Sequence, residues 1–265
     1  MKKLFVLMFS SLLFFVVGSV SVQASTDVPD LTEEERTVLL NEVGLSVEDL
    51  EILPVEHLRN LIEENAEVVL DDYKIVEIFE PIKTKPGQIS TNGTISATKL
   101  KLTGKAVRLA NNSAGQERFQ LYGTWEWLSS PVNAYEDGFS VGFESGLGIK
   151  IPTSGGNVSE HSHEYATYER GIKNRREYHV YPESYGPGSG VGAVYDIRQG
   201  GVGHRGYLSQ NVYMTTSSGT SNIKFEYGHA KTIVTPSFTV GTSGIFGINP
   251  GISVDTRYWA GELKW

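Results

Sequence analysis

The spacing of apolar residues changes near residue 75, and this change constrains the fold more than any other feature of the sequence. Before it, Leu58, Leu61 and Ile62 recur at helical spacing. After it, apolar residues alternate with more polar ones, and Phe119 and Leu121 begin one such run. Alternation of this kind is typical of strands with one buried face. We therefore predict a short helical segment followed by a mainly β domain.

The helical segment carries three signals for helix starts. Thr32 followed by Glu35 is a capping-box pattern, and Ser46 followed by Asp49 repeats the arrangement. A third helix opens at Pro54, because proline suits the first turn of a helix. Helices of this length are marginal in water on their own. We therefore expect them to pack on one another or on the β domain.

The β domain is divided into many short strands by turns rich in glycine and serine. This pattern indicates a sandwich or a closed barrel, and we favour an antiparallel, jelly-roll-like β-sandwich. The predicted organisation is a signal peptide at 1–24, an acidic helical segment at 25–74 and a β-sandwich domain at 75–265. Beyond the first two alternating runs, the predicted strands are 138–144, 147–152, 162–169, 176–181, 192–198, 205–215, 222–234, 236–240 and 250–264.

The first residues predict export. Lys2 and Lys3 precede an apolar run from Leu4 to Val17, and small residues lead to a cleavage site before Ser25. The alternative is a membrane anchor, but the run is shorter than the roughly 20 residues that cross a bilayer. The chain has no cysteine, which excludes disulfides, thiolate metal sites and a cysteine nucleophile. We expect a secreted, extracellular product with no transmembrane helix in its mature part.

Charge divides the mature chain. Residues 25–80 carry seventeen acidic and three basic side chains, a formal charge of −14, whereas residues 81–265 carry a charge of +4. The acidic part is either a pro-region, released by cleavage in the polar stretch 87–98, or a permanent cap on the sheet. The charge of the β domain is too small to indicate a nucleic-acid partner.

Two histidines at a spacing of two are a candidate metal site. On a strand, His161 and His163 project to the same face, close enough to share a cation. A third ligand would come from His179, His204 or His229. The alternative is that both are solvent-facing residues of a strand. No cofactor is predicted.

Two further groups are candidate binding sites. Trp125 and Trp127 would face one way on a strand and could stack on sugars or lie at a membrane interface. Their parity with Phe119 and Leu121 instead favours a place in the core. In a predicted loop, a basic run could dock on a wall polymer, a lipid headgroup or the acidic segment, or could be merely solvated. The run consists of Arg170, Lys173, Arg175 and Arg176.

No arrangement of residues specifies a reaction, so no catalytic residue is predicted. Glycosidases on sandwich folds use two facing carboxylates. The strand-like stretches offer Glu126, Glu144, Glu164 and Glu226, but the sequence gives no distances between them.

The tyrosine-, serine- and threonine-rich residues 205–239 allow a membrane-inserting hairpin or an ordinary sheet. Gly228 and Pro236 interrupt the alternation.

The chain resembles uncharacterised secreted proteins of Gram-positive bacilli. The resemblance rests on the helical lead Leu31–Asn65, the run Ile151–Gly155, Tyr227-Gly228-His229 and Asp255-Thr256-Arg257. It implies secretion and a shared fold, and no activity.

The function predicted from sequence is therefore non-enzymatic binding at a cell envelope or surface, to wall glycan, anionic polymer or membrane. The alternatives are an extracellular polysaccharide hydrolase and a bacteriocin-like or β-pore-forming toxin. The sequence leaves the oligomeric state open.

Overall fold

The computed structural model describes residues 30–70, 95–96, 98–112, 114–131, 133–169, 172–198, 203–241, 244–249 and 253–265. The protein is mainly β, with two antiparallel sheets packed as a sandwich and a short helical segment at its N-terminal side. The predicted fold class is confirmed. The predicted signal peptide lies outside the described residues.

The helices begin and end where local signals predict. The Thr32 hydroxyl accepts a hydrogen bond from the Glu35 N–H, and the Glu35 carboxylate accepts one from the Thr32 N–H. Ser46 and Asp49 form the same reciprocal cap. Gly44 ends the first helical stretch in the left-handed region, with φ of 86°. The helices are α1 (Glu33–Val38), continued by a π-helical turn (Leu39–Val43), α2 (Val47–Ile52) and α3 (Val55–Glu63).

The strands vary in length from two to twelve residues. Within the described ranges they are, in chain order, β1 (Glu67–Leu70), β2 (Leu100–Leu109), β3 (Arg118–Trp127), β4 (Glu136–Phe143), β5 (Ile149–Lys150), β6 (Thr153–Ser154), β7 (Asn157–Val158), β8 (His161–Glu169), β9 (Ile172–His179), β10 (Ser184–Gly186), β11 (Gly190–Asp196), β12 (Gly203–Met214), β13 (Thr220–Ala230), β14 (Phe238–Val240), β15 (Phe246–Ile248) and β16 (Val254–Lys264).

Two sheets form the sandwich. The large sheet has the order β1-β2-β3-β12-β8-β9, with β5 also paired to β12. The small sheet has the order β10-β11-β4-β13-β16. The hairpins β6-β7 and β14-β15 pair separately. Several neighbouring strands are distant in sequence, since β3 pairs with β12 and β4 pairs with β13.

The core lies between the inner faces of the two sheets and is rich in aromatic side chains. Phe119 and Trp125 of β3 and Phe225 of β13 are completely buried there. Gly104 and Gly123 lie opposite each other on β2 and β3. A Cβ atom on either glycine would overlap the Phe225 ring. The two glycines therefore let this ring lie flat against the large sheet.

The helical segment forms a third layer on the outer face of the large sheet. A second apolar cluster, separate from the sandwich core, joins the helices to β2, β3 and β12. The described part of this segment ends in a strand rather than a helix. This strand is β1, which pairs with β2 so that Val68 lies opposite Val107. The cluster contains Leu31, Leu39, Val43, Leu45, Leu53, Leu58, Leu61, Ala66, Val107, Leu109, Tyr122 and Tyr207.

Ion pairs link the acidic helices to basic residues on the same face. Lys105 Nζ lies 3.4 Å from Asp49 Oδ2, and both side chains are about 5% exposed or less. Lys101 pairs with Glu48 at 3.1 Å in a much more exposed position. The opposite charges of the helical segment and the β domain therefore help to hold the two together. Both a pro-region and a permanent cap would require such contacts.

Candidate functional site

The tryptophan pair lies in the core. Trp125 is completely buried and Trp127 is 7% exposed. The Trp125 ring stacks on Tyr165 with a centroid distance of 5.9 Å, and Trp127 Nε1 donates to the Tyr227 hydroxyl at 3.0 Å. The predicted binding role would require an exposed face, and this packing leaves neither indole with one. The parity of Trp125 and Trp127 with Phe119 had favoured this placement.

The histidine pair lies inside the sandwich, on one face of β8 as predicted. His161 Nε2 and His163 Nδ1 share a hydrogen bond of 2.9 Å, and His161 Nδ1 lies 3.1 Å from Gln210 Oε1. Both histidines are buried rather than solvent-facing. His179 of β9 stacks on His163 with a centroid distance of 4.9 Å. The two facing nitrogens therefore bond each other rather than point together at a cation.

The other two suggested ligands, His204 and His229, lie at the opposite end of the strands. His204 bonds the Tyr165 hydroxyl, and His229 bonds the buried carboxylate of Asp137. Across the described ranges, no group of three or more histidine and acidic side chains is arranged to hold a metal ion.

Burial keeps several of these imidazoles neutral. Burial, with a smaller contribution from the nearby His163, lowers the pKa of His161 to about 3. Burial also lowers the pKa of His179, His204 and His57. At neutral pH these side chains therefore act as uncharged hydrogen-bonding groups.

The basic run lies on a strand, not in the predicted loop. Lys173 Nζ lies 2.5 Å and Arg176 Nε 2.8 Å from the two carboxylate oxygens of Glu164. Glu164 is buried, whereas Lys173 and Arg176 are 39% and 48% exposed. Each carboxylate oxygen of Glu164 therefore has its own cationic partner. Arg170 and the side chain of Arg175 lie outside what the structure describes.

Exposed apolar and aromatic side chains continue this basic edge. Tyr178 is 47% exposed, Val180 46% and Tyr181 60%. The Arg176 guanidinium lies 5.3 Å from the centroid of the Tyr178 ring. We call the group Lys173, Arg176, Tyr178, Val180 and Tyr181 the β9 surface. Its first three residues lie on β9, the edge strand of the large sheet, and Val180 and Tyr181 follow directly after the end of that strand.

The strand glutamates do not meet in one groove. Glu164 is on the outer face of the large sheet, held by its two cations. Glu226 is on β13, facing away from the core, where its carboxylate accepts bonds from Lys224 and from the Ile248 N–H. Glu144 follows β4 and accepts a bond from the Asn222 side chain. Glu126 is on the outer face of the large sheet, beside α2.

Residues 205–239 are built into both sheets. They supply most of β12, which is central in the large sheet, and β13, which is central in the small sheet. The tyrosines Tyr207 and Tyr227 are buried. No helix in the described part of the chain is long and apolar enough to cross a membrane.

A polar cleft, which the sequence did not predict, lies between α3 and the outer face of the large sheet. Its volume is about 760 Å³. The helix contributes the side chains of His57, Asn60, Glu63 and Glu64 to its lining. The sheet side contributes Arg118, Gln120, Glu160, Ser162, Tyr178, Ser209 and Asn211.

A continuous hydrogen-bond network crosses this cleft. His57 Nε2 donates to Gln120 Oε1 at 2.8 Å, and Gln120 Nε2 donates to Asn211 Oδ1 at 3.1 Å. Asn211 Nδ2 donates to Glu160 Oε2 at 2.9 Å, and Arg118 donates to the same oxygen at 3.1 Å.

Arg118 also donates to Glu64, the residue directly after α3, at 3.2 Å, so the network starts on α3 and returns to its C-terminal end. Glu160 has a φ of 54°, which is rare for a residue with a side chain. Strained residues of this kind persist where the surrounding structure fixes them, often at functional sites.

Comparison with known proteins identifies no family. No protein family model matches the chain, and no curated protein is similar to it in sequence. Among solved structures, the Clostridium perfringens NetB toxin in its membrane-inserted form matches with a TM-score of 0.30 at 9% identity, covering 62% of this chain and 91% of that chain.

Clostridium perfringens delta-toxin matches with a TM-score of 0.26 at 8% identity, covering 65% of this chain and 87% of that one. AvmM, which catalyses macrocyclization in alchivemycin A biosynthesis, matches with a TM-score of 0.28 at 10% identity, covering 56% and 79%. TM-scores this low carry no argument about activity. The chain is an antiparallel β-sandwich protein with an N-terminal helical layer.

Proposed function

We propose that the protein is exported and acts without catalysis, by binding a membrane surface that carries anionic lipids. The observation that carries this proposal is the β9 surface, where exposed cations and exposed apolar side chains lie together. The cations favour an anionic partner. The apolar groups favour a membrane over a wall polymer of phosphates, because Tyr181 and Val180 would gain nothing from contact with phosphate alone.

The dispersal of the carboxylates supports a role in binding. Glu164 and Glu226 are each held by cations, and they lie on different sheets. A glycosidase needs one carboxyl group that stays protonated near neutral pH. Glu164 instead contacts the cations of Lys173 and Arg176.

The expected affinity is modest and depends on salt. Each cation near an anionic bilayer contributes about 1 kcal/mol, and this attraction is screened within roughly a Debye length. Binding to vesicles containing phosphatidylglycerol should therefore be tighter than binding to vesicles of phosphatidylcholine alone. It should also weaken as sodium chloride is raised.

Tyr181→Ser is the variant that tests the surface, since replacing Lys173 or Arg176 would remove one of the two cations that hold the buried Glu164. We expect it to weaken vesicle co-sedimentation by about tenfold. Leu128→Ser is a matched control, because Leu128 is 53% exposed but lies beyond the end of β3. Equal losses in the two variants would contradict the proposal.

The same vesicles separate this function from its alternatives. Vesicles loaded with a fluorescent dye should remain intact while the protein binds. Release of the dye would favour pore formation. Binding to purified cell walls without binding to vesicles would favour a wall polymer as the partner. Either result would overturn membrane-surface binding.

A further inference from the structure

We infer that the polar cleft between α3 and the large sheet is a second binding site, for a glycan whose sugars carry free hydroxyl and amino groups. The site goes beyond the proposed membrane binding: it shares Tyr178 with the β9 surface, but its other side chains and its ligand chemistry are different. Its argument rests on three properties of the cleft: a rigid floor, an excess of acceptors and a suitable size.

The floor is organised in advance of any ligand. Gln120 and Asn211 are fixed on two neighbouring central strands, and each amide is bonded on both its oxygen and its nitrogen side. Glu160 is held by Asn211 and Arg118 in a strained backbone conformation. Side chains that are already ordered lose little entropy when a ligand binds, so this floor favours recognition.

The cleft offers more acceptors than donors. Three carboxylates, those of Glu63, Glu64 and Glu160, line it beside a single guanidinium, that of Arg118. His57 adds no charge, because burial lowers its pKa. A sugar hydroxyl donates well to carboxylate oxygens, and an ammonium group on the sugar would balance the negative excess. Neutral and amino sugars therefore fit this lining better than an anionic polymer.

The size and walls also suit a sugar chain. The volume of about 760 Å³ lies within the range of roughly 300–1,000 Å³ that ligand sites occupy. Tyr178 presents a half-exposed ring at one wall, against which the apolar face of a sugar can pack. Ser162 and Ser209 add hydroxyl groups that can both donate and accept.

Calorimetric titration of the full secreted chain tests the inference. The probe is a hexamer of β-1,4-linked glucosamine, compared with its N-acetylated form and with hexalysine. We expect the glucosamine hexamer to bind most tightly. Asn60→Ala, which removes an exposed amide from the helical wall, should weaken it about fivefold. Glu63→Gln should weaken the glucosamine hexamer more than the acetylated form, because it removes negative charge.

Asn41→Ala is the matched control, since Asn41 is an exposed asparagine in the helical segment that does not line the cleft. It should leave the affinity unchanged. An equal effect of Asn60→Ala and Asn41→Ala would overturn the inference. So would binding of hexalysine as tight as that of the glucosamine hexamer, because charge alone would then explain it.

We expect a variant of either site to lose binding only to the ligand of that site. Asn60→Ala should leave vesicle binding intact, and Tyr181→Ser should leave the affinity for the glucosamine hexamer intact. Loss of both activities in either variant would mean that the cleft and the β9 surface form a single site, which would contradict the inference.

Discussion

The buried ion pair between Asp49 and Lys105 should control the docking of the helical segment. Asp49 has two roles, because its carboxylate faces the Lys105 ammonium and also accepts a hydrogen bond of 2.7 Å from the Ser46 N–H at the start of α2. Asp49→Ala removes both interactions. It leaves the Lys105 ammonium, whose side chain is 5% exposed, without this carboxylate.

The size of the effect follows from the burial. Removing one partner of a buried ion pair costs about 3–5 kcal/mol, and loss of a helix cap adds about 1 kcal/mol. Glu48→Ala is the matched control, since its pair with Lys101 joins side chains that are 66% and 41% exposed. Exposed pairs contribute about 0–1 kcal/mol.

Two optical probes separate the layers in a urea titration. All four tryptophans (Trp125, Trp127, Trp259 and Trp265) lie in the β domain, so their fluorescence reports the sandwich. Circular dichroism at 222 nm reports the helices. In Asp49→Ala the helical signal should be lost at least about 1 M earlier than in the parent protein, given a denaturant dependence of about 1–3 kcal/mol per molar urea.

The double variant Asp49→Ala/Lys105→Met provides the decisive comparison. Methionine removes the buried ammonium and keeps an apolar side chain, so the double variant should be more stable than Asp49→Ala alone. A double variant less stable than the single one would refute the reasoning. Equal shifts for Asp49→Ala and Glu48→Ala would refute it as well.

Three further outcomes are expected. In the unfolded chain His161 takes up a proton near pH 6.5, the ordinary pKa of histidine. In the folded protein its pKa is about 3, so it takes up the proton only near pH 3. Stability should therefore fall from pH 6.5 towards 3 by about 1.4 kcal/mol per pH unit for this group. His161→Gln should reduce that slope in urea titrations at several pH values. Gly104→Ala should cost about 1–3 kcal/mol by overlap with Phe225, whereas Gly203→Ala, with only ordinary contacts, should leave the melting temperature nearly unchanged. Mass spectrometry of the secreted protein should find Ser25 as its first residue.

The helix starts were predictable because they depend on residues three positions apart. Thr32 with Glu35 and Ser46 with Asp49 form the predicted caps, and α3 begins directly after Pro54. The exception is β1, which lies inside the segment predicted to be helical. Its short run of Glu-Val-Val-Leu is equally compatible with a helix turn, and only pairing with β2 makes it a strand.

The strand pattern was also predictable, since alternation depends only on which face is buried. The predicted strands 162–169 and 205–215 correspond to His161–Glu169 and Gly203–Met214. Lys173 and Arg175 were wrongly assigned to a loop, because neither has an apolar residue two positions away that would indicate a strand, whereas the predicted strand 176–181 begins at Arg176. In the structure these residues lie on β9, an edge strand that pairs with another strand on one side only.

The candidate sites were less predictable because they depend on register between distant strands. Gln120 and Asn211 are 91 positions apart, and nothing near either residue in sequence indicates that their side chains meet. The burial of His161 likewise depends on Gln210 of β12, which supplies a hydrogen bond inside the sandwich. A positive φ at Glu160 has no sequence signal at all.

The interleaved strand order also dictates when each part of the molecule can become ordered during synthesis. Leu58 and Leu61 of the helical layer leave the ribosome early, but one of the surfaces they cover includes Tyr207, which follows about 150 positions later. Until then this part of their apolar surface has no partner. The high negative charge of the helical segment favours its solubility and repels other copies of the chain before the sheet forms. Sheets built from long-range strand pairs form slowly, so this interval is long.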